Sequence, residues 1–207
     1  MKNYLANLKP IHYILAIVNV ALLLGFGSLF LGRLNYEFVI YVLVILFLLC
    51  LVAVTFPGLR YSTTTLIGLT VWSGMHLAGG GISWGDGRLY DVILFPLSNQ
   101  LPIWRYDQLV HMWGFGTCTL LAYDLVRPAL QPTIAHPIAL SIVLAMAGLG
   151  FGALNEIVEF LVTLIVPSSG VGGYENTALD LCSNLIGATL AVGLLWWRRQ
   201  ANTSSGA

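Results

Sequence analysis

Charged side chains are scarce. Asp, Glu, Lys and Arg make up 9% of the 207 residues, against about 25% in soluble domains, so water is not the solvent for most of this surface. No sign of charge is in excess, since the formal net charge is zero, which removes the electrostatic basis for binding nucleic acid or an acidic partner. The one basic cluster, Arg198-Arg199, follows a hydrophobic run and suits a membrane anchor. Cysteine is also sparse. Cys50, Cys118 and Cys182 are odd in number, lie in apolar stretches and lack metal-ligand spacing, which argues against a disulfide framework or zinc ribbon. They read as buried small hydrophobes. Alternation of apolar and polar residues is missing from the long runs, which argues against a lipid-facing barrel.

What is present is hydrophobic length: 57% of the residues are apolar. Six segments can cross a hydrocarbon core of about 30 Å, which takes about 20 helical residues. They are His12–Leu31, Phe38–Phe56, Thr63–Gly80, Asp107–Val126, Pro137–Val166 and Ala178–Trp197. Lys2 and Lys9 precede the first, as in a signal peptide, but the run from Ile11 to Leu31 exceeds the roughly 7–15 residues of a cleavable core. It reads as a retained helix. Backbone groups in lipid must be satisfied internally, so the segments are expected to be helices. The fold class is therefore an all-α membrane protein, a bundle of about six transmembrane helices. The expected layout is a single integral membrane domain over residues 1–207, with 198–207 a short cytoplasmic tail.

Basic residues orient it. With the N-terminus inside, Lys2, Lys9, Arg60, Arg127, Arg198 and Arg199 are cytoplasmic and Arg33, Arg88 and Arg105 are outside, so the positive-inside rule places both termini in the cytoplasm. Trp196 and Trp197 then sit in the inner aromatic belt. The longest connection, Gly81–Tyr106, mixes glycine with Trp84, Tyr90, Trp104 and the apolar stretch Val92–Leu97, a composition for a loop or short helix lying in the interface. Pro167–Thr177 is a glycine-rich turn region on the same side.

Ionisable groups in a membrane core are costly, so their placement carries information. His76 lies about a turn from the outer end of the third segment. The fourth opens with Asp107 and His111, four apart and hence on one face. The fifth carries Asn155, Glu156 and Glu159, and the sixth opens with Asp180 and Asn184. With the topology above, all sit within about 10–15 Å of the outer boundary. Gly114, Gly148, Gly152 and Gly187 accompany them, and small faces let helices approach closely. Plain structural roles compete: Asp107 as a helix N-cap, Thr177 with Asp180 as a capping box, Asn155 and Asn184 as interhelical hydrogen-bond glue, and His76 as a satisfied interior histidine. Glu156 and Glu159 are the hardest to explain so, because two carboxylates deep in a helix need protons, a cation or basic partners.

The candidate catalytic groups are Glu156, Glu159 and His111, and the candidate binding groups are His76, Asp107, Asp180 and Asn184. His76, His111, Glu156, Glu159 and Asp180 are the candidate ligands of a divalent metal ion, since imidazole with carboxylate suits zinc, iron or manganese. Such an ion can activate water at a lipid headgroup; without it, the carboxylates can work as an acid–base pair. The spacing matches neither the His-Glu-x-x-His nor the Glu-x-x-His signature. A second hypothesis is a non-enzymatic pocket for a membrane lipid, glycan-lipid or amphiphilic drug, and a further one is a purely structural interhelical network. A proton or ion pathway is the weakest, because the inner halves of these helices hold few polar groups beyond Asp124 and Arg127 at the cytoplasmic end. Nothing in the sequence sets an oligomeric state.

The order Asp107-x-x-x-His111, Glu156 and Glu159, Asp180-x-x-x-Asn184-x-x-Gly187, preceded by His76-Leu77-Ala78-Gly79, resembles the VanZ-like membrane proteins and, more closely, the YjdF-like bacterial inner-membrane family. The resemblance covers about Trp72 to Val192. It implies a location in the bacterial cell inner membrane and the polar motif as the site; VanZ-like members are associated with tolerance to glycopeptide antibiotics. This chain departs from them in having Gln108 where a basic residue usually follows the aspartate, and Gly173-Tyr174-Glu175 where VanZ-like proteins tend to carry Arg.

Overall fold

The computed structural model describes residues 8–59, 61–131, 134–166 and 169–204, with side chains described to residue 200. Lys2, Arg60, Pro167 and Ala207, all used in the sequence reading, lie outside the described residues. The described chain is helical: α1 (Pro10–Gly32), α2 (Tyr36–Leu59), α3 (Thr63–Gly81), α4 (Tyr106–Val126), α5 (Pro137–Ile165) and α6 (Tyr174–Ser204). A two-stranded hairpin, Ser83–Trp84 with Gly87–Arg88, and a 3-10 turn at Leu89–Asp91 lie between α3 and α4. Proline at the first position starts α1 and α5, where its missing N–H costs nothing. Ser62 caps α3 by accepting the Thr65 N–H at 3.2 Å.

Four helices, α1, α2, α5 and α6, are long and apolar enough to cross a membrane. Between 17% and 28% of their apolar windows is buried inside the protein. The remainder faces outward as leucine, isoleucine and valine, with Leu24 70%, Val54 78% and Ile138 76% exposed. A surface of this kind is sustained by lipid and not by water. Helices α3 and α4 are less apolar because neighbouring helices, and not solvent, meet their surfaces. Helix α3 buries Thr65, Thr70, Ser73 and His76, and α4 buries Gln108, His111, Thr117, Thr119 and Asp124.

Helix α4 is central, packing on α3, α5 and most closely on α6. That approach depends on glycine: a Cβ at Gly187 would run into the Met112 carbonyl, and one at Gly116 would sit 2.9 Å from the Gly187 carbonyl oxygen. Helix α1 packs on α3 and α2, and Asn19 Nδ2 donates to Thr70 Oγ1 at 2.8 Å across the first of these contacts. The apolar core at the α2 end gathers Phe30, Phe38, Tyr41, Ile45, Leu77 and Val162.

Opposite the polar end, Asp124 Oδ2 accepts from the Ser62 backbone N–H and Thr65 Oγ1, both at 2.7 Å, with Arg127 3.8 Å away. This carboxylate fixes the start of α3. Arg198 Nη1 donates to Thr64 Oγ1 at 2.9 Å, and Trp196 Nε1 to Ser141 Oγ at 2.7 Å, so α6 is tied to α3 and α5 here.

Three expectations are corrected. Cys50 and Cys182 are exposed on the apolar exterior and only Cys118 is partly buried, because in a chain with an apolar outside a hydrophobic residue need not be internal. Helix α6 begins at Tyr174, four residues before the expected Ala178, so Asp180 lies inside the helix and Thr177 and Asp180 form no capping box. The N-cap of α4 is Arg105 and not Asp107, which occupies the first turn.

Candidate functional site

The N-terminal parts of α4 and α6 and the C-terminal half of α5 meet at one level of the bundle, and their periodicity delivers polar groups to a common point. One turn apart on α4, Asp107 and His111 share a face. Asn176, Asp180 and Asn184 repeat every four residues along α6, and Asn155, Glu156 and Glu159 line the facing side of α5.

His111 is the hub. Its Nδ1 donates to Asn184 Oδ1 at 3.2 Å and lies 3.6 Å from Glu156 Oε1. Its Nε2 lies 3.7 Å from Asp107 Oδ1 and 3.9 Å from Glu159 Oε1. Asn155 Nδ2 donates to Glu159 Oε1 at 2.7 Å, and Asn176 Nδ2 donates to both Asp107 Oδ2 and Asp180 Oδ2. Asp180 and Asn184 have no solvent exposure. Yet among the described residues Asp180 Oδ1, Asn184 Nδ2 and Glu156 Oε1 are buried without a hydrogen-bond partner. Orphaned atoms are uncommon in folded proteins and ask for an explanation such as an ion or water.

Two sets of donors fit a cation: Asp107, His111 and Asp180, and His111, Glu156 and Glu159, with the ligand atoms of each set within 4.8 Å of one another. Tetrahedral zinc with bonds of about 2.0–2.2 Å needs ligands about 3.4 Å apart. At Nε2 of His111, Asp107 Oδ1 and Glu159 Oε1 lie 3.7 and 3.9 Å away, close to that, whereas Glu156 Oε1 is 3.6 Å from Nδ1, and one ring nitrogen serves one ion.

A family model described as "Predicted membrane protein (DUF2238)" matches residues 11–201, from the first turn of α1 to the last turn of α6. The chain belongs to the DUF2238 family. No curated protein and no solved structure matches it.

In this DUF2238 chain His76 stands apart from the carboxylates. Its Nδ1 meets the Tyr90 hydroxyl at 2.6 Å, and its ring is stacked on Trp72 and edge-on to Tyr41. Burial, and then the nearby carboxylates of Asp107 and Glu159, push the Tyr90 phenol well above its usual range, so it stays protonated beside His76. His76 rejoins the others through space, since a polar cavity of about 70 Å³ is lined by His76, Asp107 and Glu159 together with Glu37, Arg88, Arg105 and Asn176.

Several of these groups escaped the sequence reading. Glu37 is buried at the start of α2, 3.6 Å from Arg88 Nη1, and accepts the Gly170 N–H at 2.7 Å. Arg88 Nη2 donates to the Gly170 carbonyl at 3.0 Å, so this pair fastens the hairpin and the α5–α6 loop to α2. Gln108 holds the other side of the loop: its Oε1 accepts the Trp104 and Arg105 N–H groups, and its Nε2 donates to the Pro102 carbonyl. Asn176 carried a signal, lying four residues before Asp180, but the expected helix began after it.

Proposed function

We propose that this chain is a YjdF-like bacterial inner-membrane protein, kin to the VanZ-like proteins, in which the His111 cluster binds a divalent cation and handles an envelope lipid or amphiphile. All six helices span the bilayer as one domain, both termini and the 198–207 tail are cytoplasmic, and the cluster lies near the extracytoplasmic side. The observation that carries this reading is the set of orphaned atoms, Asp180 Oδ1, Asn184 Nδ2 and Glu156 Oε1, around a histidine that faces carboxylates with both ring nitrogens. Four carboxylates, those of Asp107, Glu156, Glu159 and Asp180, around one imidazole leave excess negative charge in a low-dielectric site, and a cation offsets it. His111, Glu156, Glu159 and Asp180 would hold the ion, with Asp107 and Asn184 beside it and His76 at the wall of the adjoining cavity. A bound ion supplies Lewis acidity toward a headgroup oxygen. The carboxylates it leaves unligated hold or accept a proton.

Thermal unfolding in detergent tests the site. A cation at about 100 times its Kd adds about 2.7 kcal/mol to the native state. Zinc or manganese should therefore raise the midpoint of the wild type and leave Glu156→Gln, Glu159→Gln and His111→Ala unmoved. In a purely structural network Glu156→Gln would be neutral or stabilising, because a buried charge is removed, and added metal would shift none of the proteins.

A further inference from the structure

A second cavity adjoins the polar one. It is apolar, about 380 Å³ in volume, and enclosed by α2, α3, α4 and α5. It begins at Tyr41 and His76, which also line the polar cavity, and extends to Leu59 and Tyr61. Tyr41 and Leu59 are eighteen positions apart on α2, about 27 Å at 1.5 Å per residue, so the space is long and narrow. On the scale of a cavity of about 150 Å³ that admits benzene, it accepts on the order of fifteen carbons. Its wall is mostly apolar, and two of its hydroxyls are turned to backbone, Ser73 Oγ donating to the Leu69 carbonyl and Thr55 Oγ1 to that of Leu51. Leu51 and Leu154 line the cavity and are also half exposed on the outer surface, which opens it sideways toward the bilayer.

The shape selects one hydrocarbon chain over a compact ring system, and the polar end selects a head. Arg88 is engaged by Glu37, Asp91 and the Gly170 carbonyl. Arg105 lines the polar cavity with no ion pair among the described residues, and its Nε is buried without a hydrogen-bond partner. A guanidinium fork of this kind matches phosphate, and about 70 Å³ admits a group of that size and little more.

We propose that the two cavities together bind a single-chain lipid phosphate, its hydrocarbon chain between α2 and the α4–α5 wall and its phosphate against Arg105. This rests on the reading of the His111 cluster as a cation site, because the carboxylates around the polar cavity outnumber its guanidiniums and the cation offsets the difference. The lipid enters laterally from the membrane.

The test is photolabelling of the full chain in phosphatidylcholine nanodiscs with hexadecyl phosphate carrying a diazirine near the end of its tail. Labels should map to residues that line the half of the cavity away from the polar end, such as Leu51 and Val52 of α2 and Leu125 of α4. Hexadecyl phosphate should compete at least about ten-fold better than hexadecanol or hexadecylamine, and inorganic phosphate should not compete. Leu154→Trp and Cys118→Phe, which fill the cavity from two helices, should each cut labelling about ten-fold. Leu154 is half exposed, so its variant folds even if the Cys118 variant does not. Arg105→Gln should reduce the phosphate's advantage to that of the alcohol. Labelling spread over the outer faces of α1 and α6, labelling indifferent to Leu154→Trp, or preference for the amine would overturn the proposal. Metal content measured on the same preparations separates the two readings: metal bound without cavity labelling sinks the lipid phosphate alone, whereas absence of metal sinks the cation site.

Discussion

His111 presents its two ring nitrogens to acceptors from three helices, and the surrounding asparagines hold those acceptors in place. Asn155 positions Glu159, and Asn176 joins Asp107 to Asp180. The spacing of these residues was legible in the sequence because helical periodicity puts i and i+4 on one face. The company of His76 was not, since Tyr90 comes from an irregular loop whose path no periodicity dictates. Tyr90→Phe removes the hydroxyl and leaves His76 Nδ1 facing an apolar edge. An unsatisfied buried nitrogen costs about 1–3 kcal/mol, so this variant should lose that much in reversible unfolding. Unchanged stability would mean that water reaches His76.

At the scale of the helices, close approach of α4 and α6 brings His111 to Asn184. Gly187 meets the Met112 backbone, whereas a Cβ at Gly193, two turns later, would meet nothing within 4 Å. Gly187→Val must push the helices apart, a backbone collision that costs about 3 kcal/mol, the upper end for overpacking. Gly193→Ala should fall within about 0.5 kcal/mol of wild type. Unfolding in detergent reads both, and equal effects would remove the argument that this contact builds the site. The small residues were visible in the sequence as companions of the polar positions. The early start of α6 was not, because the glycine-rich stretch before Asn176 reads as a turn until tertiary contacts extend the helix.

For the whole molecule, the apolar exterior was the most legible feature, since outward-facing leucine and isoleucine are what lipid requires. The long-range ties were not legible: Glu37 reaches Gly170 across 133 positions, and sequence spacing carries no trace of such a contact. The orientation proposal rests on the basic residues, and reporter fusions after Ala207 and between Gly170 and Gly173 should report inside and outside respectively. An outward C-terminus would reverse the side on which the cluster opens. The functional reading turns on whether the His111 cluster holds an ion. Elemental analysis of protein purified without chelator, wild type beside Glu156→Ala, measures this most directly. The account predicts about one equivalent of a divalent transition metal in the wild type, and most of it lost in Glu156→Ala while the variant still inserts and folds. Wild type without metal, or equal metal in both proteins, would contradict it.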